Sequence, residues 1–165
     1  MANYSFDIES NLNKSEINNV FEQVKREIAN RYDFKGSQAN IEWLNEAKEG
    51  FKLSASNDYQ IEAVIQLIRV TLSKRGLSQK LLDTTIDQII NNFKITKDIP
   101  FKHGLDQSKL KPMTKLIRDK YPKLKVSIQG DSLRVIGNSK DDLQNVIKLI
   151  KTQDFDYPLE FTNFK

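Results

Sequence analysis

Cysteine is absent from the 165 residues, and histidine occurs once. Disulfides, thiolate catalysis and zinc–cysteine sites are therefore excluded, and His103, the one imidazole, has no second histidine with which to found a metal centre. No serine or acid near it in sequence marks a catalytic triad. The six glycines form neither G-x-G-x-x-G nor a P-loop, so a pocket built on such a loop is missing. No apolar run approaches the roughly 18 residues of a membrane span. The opening Met-Ala-Asn-Tyr-Ser-Phe-Asp has neither the basic patch nor the apolar stretch of a signal peptide, and a cytoplasmic protein with no membrane role is expected.

A hydrophobic content of 38% beside 29% charged residues describes an ordinary globular chain, with room for one full domain or two small ones. Charge is unevenly spread. Through Ile90 there are 11 Lys+Arg against 13 Asp+Glu, a net of −2; from Asn91 onward the counts are 15 and 9, a net of +6, and the two recover the overall +4. A basic second half suits an anionic partner, although a solvated lysine surface would give the same count.

Tyr4-Ser-Phe-Asp-Ile-Glu9 alternates apolar and polar residues, as a half-buried strand does. Asn13-Lys-Ser-Glu16 has capping-box spacing and precedes Ile17, Val20, Phe21, Val24 and Ile28, which predicts a helix to about Arg31. Residues 39–45 and 51–55 read as strands around a turn. Asn57-Asp-Tyr-Gln60 opens a second helix that Gly76 stops. Phe93-Lys-Ile-Thr96 reads as a strand, and residues 79–84 are expected to form a short closing strand before the chain reverses. After Gly104-Leu-Asp106, Leu110, Met113, Ile117 and Tyr121 mark a helix whose start is expected near Lys111, because Pro112 deeper inside would cost a hydrogen bond. Leu124 to Val135 reads as a hairpin turning at Gly130-Asp131; Ser139-Lys-Asp-Asp142 caps a last helix, and residues 158–164 make a final strand. The expected fold is α+β: two ferredoxin-like βαββαβ units, with antiparallel sheets and helices on one face.

The Gly130-Asp131 turn places Ile128 opposite Leu133 and Val126 opposite Val135 on the covered face. Lys125, Ser127, Gln129, Arg134 and Ile136 then project from the other face. Lys and Arg with polar neighbours suit a phosphate, Arg through two parallel bonds and Lys as a point charge; packing against the other unit would explain the same face. On the phosphate reading, Arg134→Ala weakens binding and barely changes stability. Neither central strand carries an outward aromatic, so base stacking on this sheet is not expected. Lys111, Lys115 and Arg118 share one helical stripe, and Lys140, Gln144, Lys148 and Lys151 share another; together they are the best polyanion surface in the sequence, and singly each reads as a solvated face. In Asp33-Phe-Lys-Gly36 a phosphate site at Lys35 competes with a helix stop that buries Phe34.

Leu124-Lys-Val-Ser-Ile-Gln-Gly-Asp-Ser-Leu-Arg-Val-Ile-Gly-Asn-Ser-Lys-Asp-Asp-Leu-Gln144 resembles the signature of the YajQ family, LKVQ-x-IQGD-x-(V/I)RV-(T/S)GK-(K/S)(R/K)DDLQ. Ser5-Phe-Asp-Ile, Arg31-Tyr-Asp-Phe-Lys-Gly36, Ser-Asn-Asp-Tyr-Gln60 and Leu159-Glu-Phe-Thr-Asn-Phe164 match as well, so the likeness spans essentially the whole chain. It departs at Asn138, where the family usually has Lys, and at Lys109-Leu-Lys-Pro-Met113, where many members begin the helix with Lys-Lys. The resemblance implies that the units exchange strands, with Tyr4–Glu9 completing the C-terminal sheet and Asn92–Lys97 the N-terminal one. Its units would be 11–100, and 1–10 with 101–165. It also implies a nucleotide-binding protein with no enzymatic activity and no cofactor. The ligand would be GTP, ATP or cyclic di-GMP, read out through a protein partner; the alternative is RNA, tRNA included, on the basic C-terminal half. The residues offer no constellation for a hydrolase or transferase.

Overall fold

The computed structural model describes residues 3–165. Its elements in chain order are β1 (Tyr4–Glu9), α1 (Lys14–Asn30), β2 (Asn40–Trp43), β3 (Gly50–Ala55), α2 (Asp58–Lys74), β4 (Ile89–Asn91), β5 (Lys94–Pro100), α3 (Gln107–Lys120), β6 (Lys125–Gln129), β7 (Ser132–Gly137), α4 (Lys140–Thr152) and β8 (Glu160–Thr162). They form two compact units, Asn13–Lys102 and the segment through Leu12 together with His103–Lys165. The sheets are antiparallel, in the orders β2-β3-β5-β4 and β6-β7-β1-β8, so each unit is α+β and ferredoxin-like.

In the Asn13–Lys102 unit, capping and burial act together. The Asn13 side chain accepts the Glu16 N–H at 3.1 Å, and Asn57 accepts that of Gln60 at 2.9 Å. The reciprocal half of each box is redirected. Glu16 accepts from Asn19 and pairs with Arg75 at 3.5 Å, and Gln60 accepts the Ser56 N–H. At the far end of α2, Gly76 takes a φ of +76°. The Leu77 N–H returns to Leu72 and the Gly76 N–H to Ser73, closing the helix as the sequence predicts. Phe21, Trp43 and Phe51 stack between helix and sheet, with Phe21 and Trp43 centroids 4.4 Å apart.

Three expectations fail here and in α3. Residues 79–84 are not a strand. Gln79–Leu81 is a 3₁₀ turn capped by Ser78, Leu82 makes an isolated bridge to Phe101, and the closing strand is β4. Leu81 and Leu82 are both buried, and consecutive buried residues cannot sit on one face of a half-buried strand. β5 starts later and runs further than Asn92–Lys97, because Asn92 and Phe93 form the β4–β5 turn, at φ of +48° and +67°. A two-residue turn of this hand normally carries glycine, and the missing glycine hid the hairpin from the sequence. In α3 the cap is Asp106, whose carboxylate accepts the Lys109 N–H at 3.2 Å, so Pro112 lies inside the helix. An interior proline costs about 3 kcal/mol. Leu110, Met113 and Ile117 are fully buried, and at roughly 2 kcal/mol each they outweigh that loss.

The second unit positions the candidate site. The β6–β7 register is the one that alternation predicts, with Val126 opposite Val135 and Ile128 opposite Leu133. β1 lies between β7 and β8, pairing Tyr4–Ile8 with Gly137–Leu133 and Asp7–Glu9 with Thr162–Glu160. Phe6 and Ile8 face the helices and join Leu110, Met113, Ile117, Val135, Val146 and Ile150 in one core. Phe6→Ala should cost about 3–5 kcal/mol. Amide hydrogen exchange in β7 and β8 should accelerate by about two orders of magnitude or more; unchanged protection would show that Phe6 does not hold this sheet.

Candidate functional site

Strand parity sends Ser5, Asp7 and Glu9 of β1, Lys125, Ser127 and Gln129 of β6, Ser132, Arg134 and Ile136 of β7, and Glu160 and Thr162 of β8 to the face away from the helices. The face is polarised along the strands. Glu9 stands opposite Glu160 at one end, while Lys125 lies opposite Ile136 towards the other. Like charges across a strand pair repel, so the first end is poorly suited to an anion.

Between these ends runs the row Ser127, Arg134, Asp7, Thr162. Arg134 grips Asp7 with two parallel bonds, Nε to Oδ1 at 2.9 Å and Nη2 to Oδ2 at 3.3 Å. Asn163, just beyond β8, donates from Nδ2 to Oδ2 at 2.8 Å. Asp7 is almost wholly buried, whereas the Arg134 side chain is 39% exposed. The Arg134 hydrogen bond holds the Asp7 carboxyl below the usual carboxylate range against the opposing effect of burial; Asn163 and the charges of Arg134 and Lys165 add to it. Asp7 in turn raises the Arg134 guanidinium. Alternation placed both side chains on this face; that they meet depends on β1 lying beside β7.

The other predicted residues occupy distinct places. Gln129 donates to the Ser127 hydroxyl at 3.0 Å, near the hairpin tip. Arg118 reaches from α3 to the Val126 carbonyl at 3.0 Å and ties its helix to β6, the outermost strand. Lys111 and Lys115 are exposed on the same helix. Among the α4 cations, Lys140 sits over the Tyr4 ring at 5.2 Å and Lys151 over Phe161 at 5.7 Å, so both stems pack on aromatics. In the other unit, α1 ends at Asn30, Phe34 closes a 3₁₀ turn and is buried with Arg31 over its ring, and Gly36 takes a φ of +73°.

Two recesses open at the Lys125 end, on either side of the β7–α4 connection. One, of about 300 Å³, is lined by Asn3, Lys123, Lys125, Ile136, Gly137 and Asn138. The second, of about 280 Å³, is lined by Tyr4, Ser5, Lys140, Leu143, Gln144, Phe164 and Lys165. Among the described residues no carboxylate side chain lines either recess. Asp142, at the first turn of α4, borders a third hollow with Lys120 and Lys123. Lys123 and Phe164 were missed from the sequence, Lys123 because it precedes the strand and Phe164 because it reads as part of the last one. Among the described residues no group of three or more His, Asp or Glu could hold a metal, and no helix is long and apolar enough to cross a membrane.

The model of the nucleotide-binding protein YajQ-like family matches residues 4–165. The chain belongs to this family. Among its relatives, a nucleotide-binding protein of a Nocardioides species is 44% identical over 167 residues, covering all of both chains. One from Streptomyces coelicolor is 41% identical over the same span, and one from Actinobacillus succinogenes is 39% identical over 98% of each chain.

The Asp7–Arg134 pair gives Arg134 a structural duty, which reverses the expectation that its loss leaves stability unchanged. Arg134→Ala strands a buried carboxylate with a single side-chain donor, and the melting temperature should fall by several degrees. Because folding lowers the Asp7 pKa, its contribution is fully present above the ordinary carboxylate value of 3.8 and is lost as pH falls through that value towards the folded one. Asp7→Asn should therefore be less stable than the parent at pH 7 and lose less on acidification to pH ~3. Parallel pH profiles for the two proteins would refute the assignment.

Proposed function

We propose that the protein binds a nucleotide, of which GTP, ATP and cyclic di-GMP are the candidates, and releases it unchanged. The phosphate lies in the recess of Lys123, Lys125 and Asn138. The observation that carries this reading is the position of the two lysines. They are exposed, form no ion pair among the described residues, and line a recess without carboxylates at the end of the sheet opposite Glu9 and Glu160. An ammonium on a mobile stem serves a phosphate as a point charge, and the asparagine amide adds a neutral donor. Arg134, one strand inward of Ser127, acts through the sheet by holding β7 to β1.

Among the described residues the recess is lined by lysines, asparagines and apolar or glycine residues. His103 lies in the loop between β5 and α3, in the part of the chain that also carries Asp106, the α3 cap. Function would then rest on occupancy, with the bound state altering contacts to a protein partner.

Titration calorimetry with GTP, ATP and cyclic di-GMP tests the reading. Lys125→Ala should weaken binding about ten- to hundredfold, the worth of one charge-assisted contact, with the melting temperature nearly unchanged. Unaltered affinity would remove the recess from consideration. Incubation should leave each nucleotide intact; turnover abolished by a point substitution would refute the non-catalytic reading. An RNA ligand would draw on Lys111 and Lys115 as well and lose affinity steeply with salt, whereas a mononucleotide shows a shallow slope.

A further inference from the structure

Phe164 is 59% exposed, although it follows a strand whose own aromatic, Phe161, is partly buried against the core. The backbone on either side of it is held in place. Asn163, at a φ of +53°, turns the backbone, while its side chain is held by Asp7. Lys165 then makes two backbone hydrogen bonds to Ser5, N to O at 3.0 Å and O from N at 3.1 Å. One face of the Phe164 ring leans on Phe6, with centroids 5.9 Å apart and planes 21° from parallel, and the other side is open. An aromatic held this firmly in water is a ready-made stacking surface, because no ordering cost remains when a flat partner arrives.

The surroundings say which flat partner fits. The recess in front of the ring is walled by Tyr4 and Leu143 and carries Lys140, Lys165 and Gln144 as its polar groups. Apolar walls with a few polar groups suit a small organic ligand. The Lys140 ammonium, with no carboxylate side chain among the described lining residues, favours an anionic one. The Gln144 amide offers both a donor and an acceptor to the edge of a heterocycle. Lys140, seated over Tyr4, is the first residue of α4 and lies two residues after Asn138, which lines the Lys125 recess.

We propose that Phe164 stacks on the base of a purine nucleotide, with Gln144 at the base edge, Lys140 between base and phosphate, and the remaining phosphates reaching the Lys123–Lys125 recess. This rests on the nucleotide-binding reading and adds the part of the ligand that the lysines cannot distinguish. A purine covers more of the ring than a pyrimidine does, so GTP and ATP should bind more tightly than UTP.

The test titrates the parent protein and Phe164→Ala with GTP, ATP, UTP and inorganic triphosphate at one salt concentration. Phe164→Ala should weaken the purine nucleotides about tenfold or more, the usual effect of removing one base–aromatic stack, and leave triphosphate unchanged. Because Phe164 leans on Phe6, Phe164→Trp serves as the variant that keeps a stacking plane. It should retain nucleotide affinity, and the emission of the new indole should be quenched by GTP but not by triphosphate, with Trp43 in the parent as the blank. Unchanged GTP affinity in Phe164→Ala, or equal losses for GTP and triphosphate, would overturn the proposal. Triphosphate binding the parent as tightly as GTP would overturn it too, while leaving the phosphate site standing. A parent protein that binds neither would remove the phosphate site and this proposal together.

Discussion

A single buried carboxylate organises the half of the molecule that carries the candidate site. Asp7 takes two bonds from Arg134 and one from Asn163, so β1, β7 and the segment after β8 converge on one side chain. A charge removed from water must be paired and hydrogen-bonded or its burial is prohibitive. That requirement makes the arrangement specific. A slip of one residue in β1 would turn Asp7 towards Leu133 and Val135 and expose Phe6, so polar and apolar demands select the same register.

The same carboxylate reaches the proposed ligand surface indirectly. Asn163 is its second partner, and the left-handed turn at Asn163 sets the direction of Phe164. The polar network on one face of the sheet thus supports an aromatic on the other. Lys125 and Lys123 are held by little except the strand they flank, which fits groups that must adapt to a mobile phosphate. Stacking needs rigid support and charge neutralisation does not, and the proposed site would divide along that line.

Local grammar carried most of the fold. Caps at Asn13, Asn57 and Ser139, the glycine stop at Gly76 and the alternation through Gly130-Asp131 are signals a few residues long, and the structure uses each. The misreadings lie where a distant contact overrides a local preference. Pro112 stays helical because buried neighbours hold the helix, and Phe93 occupies a glycine-like turn between β4 and β5. The site was legible only in part. Parity found the outward face and its cations, but the ion pair of Arg134 joins strands at opposite ends of the chain, and no local pattern encodes it. Phe164 was hidden for the converse reason. Alternation assigned it to a strand, and the turn at Asn163 that lifts it out lacks the glycine that would have announced it.

The order of strands in the second sheet has a consequence for synthesis on the ribosome. β1 leaves the exit tunnel first, yet it is an interior strand whose partners come last; Arg134 follows Asp7 by 127 positions. At roughly 5–20 residues per second, the wait lasts on the order of ten seconds. Residues 13–102, which hold both helices and all four strands of their own sheet, are complete well before it ends. Throughout that interval a strand bearing Phe6 and Ile8 trails from the nascent chain with both hydrogen-bonding edges unclaimed. Its three acidic and hydroxyl-bearing outward positions, Ser5, Asp7 and Glu9, then act as its protection against pairing with another chain. The carboxylate that later locks the sheet serves first as a solubilising charge.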